Sequence, residues 1–410
     1  MPLQVRRPVN PRRTNLRTIK FSLAVMMFWG SHLIYLPTLP LYVREFTPSL
    51  SMVGVVLAMF GLGLLISRLP FCIIADTFGQ HRLIILIGLI LSGIGALLSG
   101  IATNIWVLLI GRVIAGISCS VSVLLTVEFN NFFPAGGGVR STTLYLVIGC
   151  IGRLIAVSTT GFLNDLGGYR LAFYIATGLS LVAFISFWSI KPPRVNVRTS
   201  FDIKNTLPLF LSPLVILPTL IDFVSNLTYN AAPGSFMAIL ANRMGATNVQ
   251  QSLLMDIGET MTILVSLVVY IGLAKFGAIR LIILSIGLSL AGMLGTSFAT
   301  SLWQIYAMQF LLTAGVGMSY PILLGMVMDV ADRSRRSTLI GMEQSLAGLG
   351  AFFGPMLGGL VADQLGIQPM FITFGITAMV ITLSLLMLYK KHVDKKTVAQ
   401  PGNQINTGCL

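Results

Sequence analysis

What most limits the fold of this chain is the recurrence of apolar blocks of 20 residues or more, such as the one over 82–102 that reads "LIILIGLILSGIGALLSG" from Leu83. Such blocks do not alternate with a period of two, so they are not the half-buried strands of a barrel. In hydrocarbon every backbone N–H and C=O must find its partner within the segment, and an α-helix of about 20 residues does this while crossing a bilayer core roughly 30 Å thick. Composition agrees: 55% of residues are hydrophobic, 10% are charged, and mean hydropathy is +0.87. Those values lie outside the range of soluble domains. The 41 glycines suit helices that approach one another closely in lipid. The chain is therefore predicted to be an all-α integral membrane protein.

Twelve spans are expected, over 20–42, 50–75, 82–102, 105–129, 140–164, 169–190, 207–240, 249–274, 280–299, 302–329, 337–362 and 367–389. Prolines interrupt the first (Pro37, Pro40) and the seventh (Pro213, Pro218, Pro233). A freed backbone carbonyl is tolerated where neighbours or a watered cavity satisfy it, so these two spans are expected to line a path. Cys72, Cys119, Cys150 and Cys409 show no disulfide or metal spacing, and His32, His81 and His392 are scattered; no metal, cofactor or enzymatic constellation is expected. The Arg-rich opening before the first span lacks a cleavage site and reads as a tail.

The net charge of +14 raises the question of nucleic acid, but the placement of the charges answers it. Twenty-one Lys and Arg lie in the two tails and in the loops on the same side as the tails, three (Arg44, Arg170, Arg243) lie in the opposite loops, and three (Arg68, Arg112, Arg153) lie within spans. This is the positive-inside pattern. It puts both termini in the cytoplasm of a cell-membrane protein and makes lipid, not nucleic acid, the partner of the basic charge.

The chain also repeats itself. "FGQHRLIIL" from Phe78 returns as "FGAIRLIIL" from Phe276, "ATNIW" ending at Trp106 returns as "ATSLW" ending at Trp303, and "NDLGGYRLAF" (Asn164–Phe173) is answered by "ADQLGIQPMF" (Ala362–Phe371). The first pair falls after spans 2 and 8, so the duplicated unit is six helices long. An even number of helices gives both copies the same orientation, the parallel-repeat plan of many secondary transporters. The organisation is then a tail (1–19), a six-helix bundle (20–190), a polar linker (191–206), a second six-helix bundle (207–390) and a tail (391–410).

With these residues in place the chain resembles the major facilitator superfamily, over about residues 20 to 390. The family's signature after helix 2, Gly-x-x-x-Asp-Arg-x-Gly-Arg-Arg, is partly matched in "CIIADTFGQHR": Asp76 and Gly79 agree and Arg82 falls at the basic end, while Cys72 and Thr77 depart from it. "SRLPF" carries the Arg-x-Pro often seen just before, here Arg68. Glu128 and Arg140 mark the loop after helix 4, and Asp329 and Arg336 its counterpart in the second half. The resemblance implies a cytoplasmic gate built from Arg68, Asp76, Gly79, Arg82, Glu128, Arg140, Asp329 and Arg336, with Asp76 accepting from the positive N-terminus of helix 11. Arg112 in "GRVIAG" matches a helix 4 pattern of related proton-coupled exporters. The Gly-Pro motif those exporters carry on helix 5 is replaced around Arg153 and stands instead on helix 11, as "GPMLGG" from Gly354.

An ionised side chain at mid-membrane costs a few kcal/mol unless paired or wetted, so the charges within spans are the informative ones. The first half carries Arg68, Arg112 and Arg153 with His32; the second carries Asp222, Asp256, Glu259 and Glu343. Helical spacing puts Asp222, Ser225, Asn226 and Tyr229 on one face of helix 7, Ser252, Asp256 and Glu259 on one face of helix 8, and Gln309, Thr313 and Tyr320 on helix 10. Asp222, Glu259 and Asp256 are candidates for proton coupling. Arg112, Arg153, His32, Asn226, Tyr229, Gln309 and Tyr320 are candidates for a substrate cavity, in which Arg112 and Arg153 would meet the carboxylates of Asp222 and Glu259. A pairing of Arg68 with Glu343 that only fixes helix register, and a satisfied His32, are alternatives.

The expected function is a monomeric secondary transporter working by alternating access, most simply a proton-coupled exporter of a small polar, zwitterionic or amphiphilic molecule such as a metal-chelating metabolite (a metallophore or siderophore) or a drug. A proton-coupled importer of an organic acid or sugar is the alternative. The charge asymmetry makes a direct prediction: in intact cells, cysteine placed at Arg170 or Arg243 reacts with an impermeant maleimide and cysteine at Lys395 does not. The opposite labelling pattern would reverse the topology.

Overall fold

Capping side chains start several of the helices. Ser49 accepts from the Met52 N–H, the Asn104 side chain accepts from Val107 N–H at 3.0 Å, and Thr247 and Gln250 form a reciprocal capping box. The structure, a computed structural model, describes residues 11–132, 138–190, 203–330 and 336–399. Its helices are α1 (Pro11–Leu33), α2 (Leu39–Arg44), α3 (Leu50–Phe78), α4 (His81–Gly100), α5 (Ile105–Cys119), α6 (Ser122–Asn130), α7 (Gly138–Trp188), α8 (Ile203–Phe210), α9 (Pro213–Ala231), α10 (Pro233–Arg243), α11 (Asn248–Phe276), α12 (Ala278–Ser297), α13 (Leu302–Val330), α14 (Arg336–Leu365) and α15 (Ile367–Ala399).

Eleven of these segments, broken helices being joined, are long and apolar enough to cross a membrane. The longest, α7, has 51 residues. At 1.5 Å per residue a straight helix of that length would run about 75 Å, more than twice a bilayer core. It is not straight: Gly167 (φ −145°, ψ 18°) and Gly168 (φ 70°, ψ 178°) are non-helical, and the chain turns back there. α7 therefore supplies spans 5 and 6, and the described residues make twelve crossings, with both ends on one face. That face is called here the terminus side, and its opposite the far side.

The interruptions fall where proline stands. Span 1 passes from α1 through a 3-10 turn (Leu36–Thr38) into α2, and span 7 breaks at Ala232 (φ −123°, ψ −76°), between α9 and α10. Span 4 also breaks, at Ser120–Val121, between α5 and α6, where Ser120 Oγ bonds Ser67 Oγ at 2.7 Å. No proline announced that break. The helices at both ends outrun the spans expected of them. α1 begins at Pro11, a residue suited to a first helical position, and α15 continues to Ala399, so part of each stretch read as a tail is helical.

α1 through α7 form one bundle and α9 through α15 the other. The halves meet along two seams, α3 against α14 and α7 against α11. Glycine permits both. A Cβ on Gly54 would strike the Pro355 carbonyl, one on Gly61 the Ala351 backbone, and one on Gly161 the Val249 backbone.

The duplicated Phe-Gly-x-x-Arg frame now has its physical reason. Gly79 ends α3 with φ 64°, and Gly277 separates α11 from α12 with φ 78° and ψ 157°. The two turns differ in strain: Gly79 is left-handed helical, a region L-residues visit at modest cost, whereas Gly277 lies where only glycine is at ease. Gly277→Ala is accordingly expected to destabilise by roughly 1–3 kcal/mol and Gly79→Ala by about 1 kcal/mol. Thermal unfolding of the detergent-purified variants checks this, and a larger loss at Gly79 would contradict it.

Candidate functional site

The described polar contacts between the halves are few, and all lie between mid-depth and the far side. Deepest is an ion pair: Arg153, near the middle of span 5, places Nε 3.0 Å from Oε2 of Glu259 on α11. The Arg153 guanidinium also lies over the Trp29 ring, 5.3 Å from its centre. Pairing of this kind is how a bilayer tolerates either charge. Toward the far side, Ser158 Oγ donates to Asp256 at 2.9 Å and Asn248 Nδ2 donates to Asp165 at 2.7 Å. Along the other seam, Asp363 of α14 accepts from Ser49 Oγ and from the Leu50 and Ser51 N–H groups, each at 2.8 Å. These contacts hold the halves together on the far side.

Asp222 meets neither arginine. The Gly-Pro motif on α14 brings spans 7 and 11 together: a Cβ on Gly350, Gly354 or Gly358 would strike the backbone of α9 near Leu227 or Ala231. On that contact the Asp222 and Glu343 carboxyl groups face each other, at 2% and 1% exposure. A carboxylate has no donor, so the two can bond to each other only when one of them carries a proton. Asn226 Nδ2 donates to Asp222 Oδ2 at 3.0 Å, and Gln344 Nε2 donates to Glu343 at 2.9 Å and to the Tyr320 hydroxyl at 3.1 Å. Arg68 acts on Glu343 electrostatically across the seam, without an ion pair among the described contacts. The expectation of an Asp222–arginine pair is thus replaced by a carboxyl pair, because α9 packs its polar face on α14 and not on the first half.

The cations of the first half are held by rings. Arg112 is 3% exposed, with Phe60 4.9 Å and Tyr35 5.9 Å from its guanidinium, and its Nε has no hydrogen-bond partner. His32 is enclosed within its own half: Nε2 contacts Ser118 Oγ at 2.9 Å, Nδ1 contacts the Phe28 carbonyl at 2.9 Å, and Phe28 packs on the ring. It does not reach the space between the halves.

Tyr229 and Gln309 do. They share a cleft of about 440 Å³ with Pro37, Pro40, Pro233 and Gln251, so the two proline-broken spans face each other across it. Tyr229 also walls a cavity of about 500 Å³ inside the second bundle, with Ser225, Thr228, Ser289 and Thr382. Tyr320, expected beside Gln309, is separated from it and stands 43% exposed beside Gln344.

Of the expected gate, the side chains of Asp76, Arg140 and Arg336 lie outside the described residues. Gly79 supplies the turn after α3. Arg82 donates to the Trp188 carbonyl at 2.8 Å, tying spans 3 and 6 within one half, and Glu128 lies 3.5 Å from His81 Nδ1. Asp329 is exposed at the end of α13. Glu343 is expected only as a charge within a span or a partner of Arg68, and Gln344, Asp165 and Asp363 are not among the expected site residues. A signal for the last two existed, since the repeat aligns them. Among the described residues no group of His, Cys, Asp or Glu is placed to hold a metal ion.

The sequence matches the Major Facilitator Superfamily profile over residues 21–271 and 219–407. It is 24% identical over 378 residues to the quinolone resistance protein NorA of Staphylococcus aureus (strain MSSA476), spanning 90% of this chain and 95% of that one. It is 22% identical to multidrug resistance protein 2 of Bacillus subtilis (strain 168), spanning 94% and 98%. In fold it is similar to the nucleoside transporter NupG, with TM-score 0.76, 16% identity and coverage of 92% and 99%. It is also similar to an inward-facing, occupied bacterial homologue of the lysosomal transporter Spinster, with TM-score 0.75, 14% identity and coverage of 93% and 97%.

The mid-depth ion pair gives a test by unequal losses. Arg153→Met alone strands the Glu259 carboxylate and is expected to cost roughly 1–3 kcal/mol, whereas Arg153→Met with Glu259→Met removes both charges and recovers most of that loss. Melting temperatures of the purified variants decide it. A double variant no more stable than the single one would mean the two side chains are not coupled.

Proposed function

The chain belongs to the Major Facilitator Superfamily, and from that premise we propose that this transporter is a proton-coupled exporter, exchanging protons for a small amphiphilic or zwitterionic molecule. The observation that carries the reading is the Asp222–Glu343 carboxyl pair. It is buried between two spans of one bundle, is a place where two facing carboxyl groups can share a proton, and connects through Gln344 to the exposed Tyr320. The relatives named for quinolone and multidrug resistance support export and a drug-like substrate over a sugar or organic acid.

The charge distribution supports a substrate with two kinds of group. Arg112 and Arg153 offer cations from the first half, while Asp222, Glu343 and Glu259 offer carboxyl groups from the second. A zwitterion entering from the terminus side places its acid toward Arg112, whose Nε is unpartnered, and its amine toward the carboxyl pair. The amine displaces the shared proton. It also competes for Glu259, loosening the ion pair that links the halves at mid-depth. The bundles then rock, the far side opens, substrate leaves and a proton returns to the pair. With the termini in the cytoplasm this cycle is export. A metal-chelating metabolite carrying acid and amine groups meets the same requirements as a drug.

Export is expected to need both members of the pair. In inside-out vesicles, Asp222→Asn and Glu343→Gln should each lose at least roughly tenfold of pH-gradient-driven uptake of a fluorescent quinolone, while downhill exchange continues in at least one of them. Gradient-driven uptake that survives in full in both variants would sink the assignment of the proton to this pair.

A further inference from the structure

The second bundle repeats the first, and one repeated residue has acquired two different partners. "NDLGGYRLAF" and "ADQLGIQPMF" align Asp165 at the far end of span 5 with Asp363 at the far end of span 11. Each stands three residues before a glycine of positive φ, Gly168 (70°) and Gly366 (94°), which turns the chain into the next span. Both aspartates reach across a seam to the first residues of a helix in the other half: Asp165 to α11, Asp363 to α3.

What they find there differs. α11 is capped by its own residues, with Thr247 Oγ1 accepting from the Gln250 N–H at 3.3 Å and Gln250 Oε1 accepting from the Thr247 N–H at 2.9 Å. Asp165 is left one side-chain donor, Asn248 Nδ2. α3 is capped in the same way, Ser49 Oγ accepting from the Met52 N–H at 3.3 Å, but here the two N–H groups next to the cap, Leu50 and Ser51, meet the aspartate. Asp363 takes both, together with the Ser49 hydroxyl. Three donors converge on one carboxylate at a positive helix end, a charge-assisted arrangement. All three come from the opposite half, so the whole of that stabilisation exists only while the far side is shut.

We propose that Asp363 and Asp165 are a duplicated pair of far-side latches of unequal strength, with Asp363 the principal one holding the far side closed. When the seam parts, the first N–H groups of α3 pass to water, and Asp363 loses all its described partners at once. The parting of Asp165 costs a single neutral donor. The inference does not rest on the nature of the substrate or on proton coupling, only on the movement of the two halves.

Electron-spin distance measurements in lipid nanodiscs test it, on a background with the native cysteines replaced. Labels at Glu45 and Gln364 report the α3–α14 seam, labels at Leu166 and Arg243 report the other, and labels at Glu45 and Leu166, both in the first half, report whether that half remains intact. Asp363→Ala is expected to raise the population with separated far-side labels roughly tenfold and Asp165→Ala by no more than about threefold, with the Glu45–Leu166 distance unchanged. Asp363→Asn, which keeps an acceptor but removes the charge, should fall between and serves if the alanine variant does not fold. The proposal is overturned if Asp363→Ala and Asp363→Asn leave the Glu45–Gln364 distances as in the parent, or if Asp165→Ala opens the far side more than Asp363→Ala.

Discussion

A backbone in hydrocarbon has to bond to itself, and the architecture follows from where it does and where it is excused. Nine of the twelve crossings among the described residues are unbroken, and in them bonding within the helix suffices. The first and seventh crossings give up that regularity at Pro37, Pro40 and Pro233, and these prolines are gathered around a single cleft between the halves. A broken helix is costly against lipid and acceptable against a cavity, and the breaks stand at the cleft. The same accounting applies at helix ends, where unbonded N–H groups must be capped. At α3 Ser49 caps one N–H and Asp363 of the other half takes two more, which turns part of a local requirement of one helix into a condition on how the halves are arranged.

Much of this was legible in the sequence, for reasons that differ from residue to residue. The crossings could be read because hydropathy acts over 20 residues and tolerates local error. The duplication could be read because Gly79 and Gly277 each serve a turn that other residues fit poorly, so the Phe-Gly-x-x-Arg frame is tied to backbone geometry. The positions of Tyr229 and Gln309 on the cleft followed from helical spacing. Partners were another matter. Spacing places Asp222 on a polar face but cannot say which helix that face meets, and the reading that joined it to an arginine assumed opposite charges attract. The glycines of α14 decide otherwise by admitting α9 so closely that the neighbour is Glu343. His32 was mislaid for a related reason: a polar residue next to Ser31 can be satisfied inside its own bundle, and here Ser118 and Phe28 satisfy it. The break in span 4 carries no proline, and its Ser-Val-Ser stretch looks like ordinary helix.

The charges within the spans are divided by half, and the division is more informative than any single one of them. Cations in the first bundle rest on aromatic faces, Arg112 on Phe60 and Tyr35 and Arg153 on Trp29. Such contacts soften the cost of burying a guanidinium without neutralising it. Acids in the second bundle hold one another or reach across a seam. Within its spans each half therefore carries an unbalanced charge of opposite sign, and the pair that balances them directly, Arg153 with Glu259, sits at mid-depth on the α7–α11 seam.

Span 11 carries more of this arrangement than any other helix. Its 30 residues run unbroken from Arg336 to Leu365, with Glu343 near one end and Asp363 near the other. Twenty residues apart, these two carboxyl groups are separated by about 30 Å of helix, close to the thickness of the hydrocarbon core. One face of the rod is pressed against span 7 through Gly354 and Gly358, another against span 2 through Gly359, so it has little room to slide past either. A lever so confined can tilt but not shift. A movement that reached both acids would therefore be a change of angle, with Pro355, the proline inside the helix and without an N–H to donate, as the place where the lever would bend.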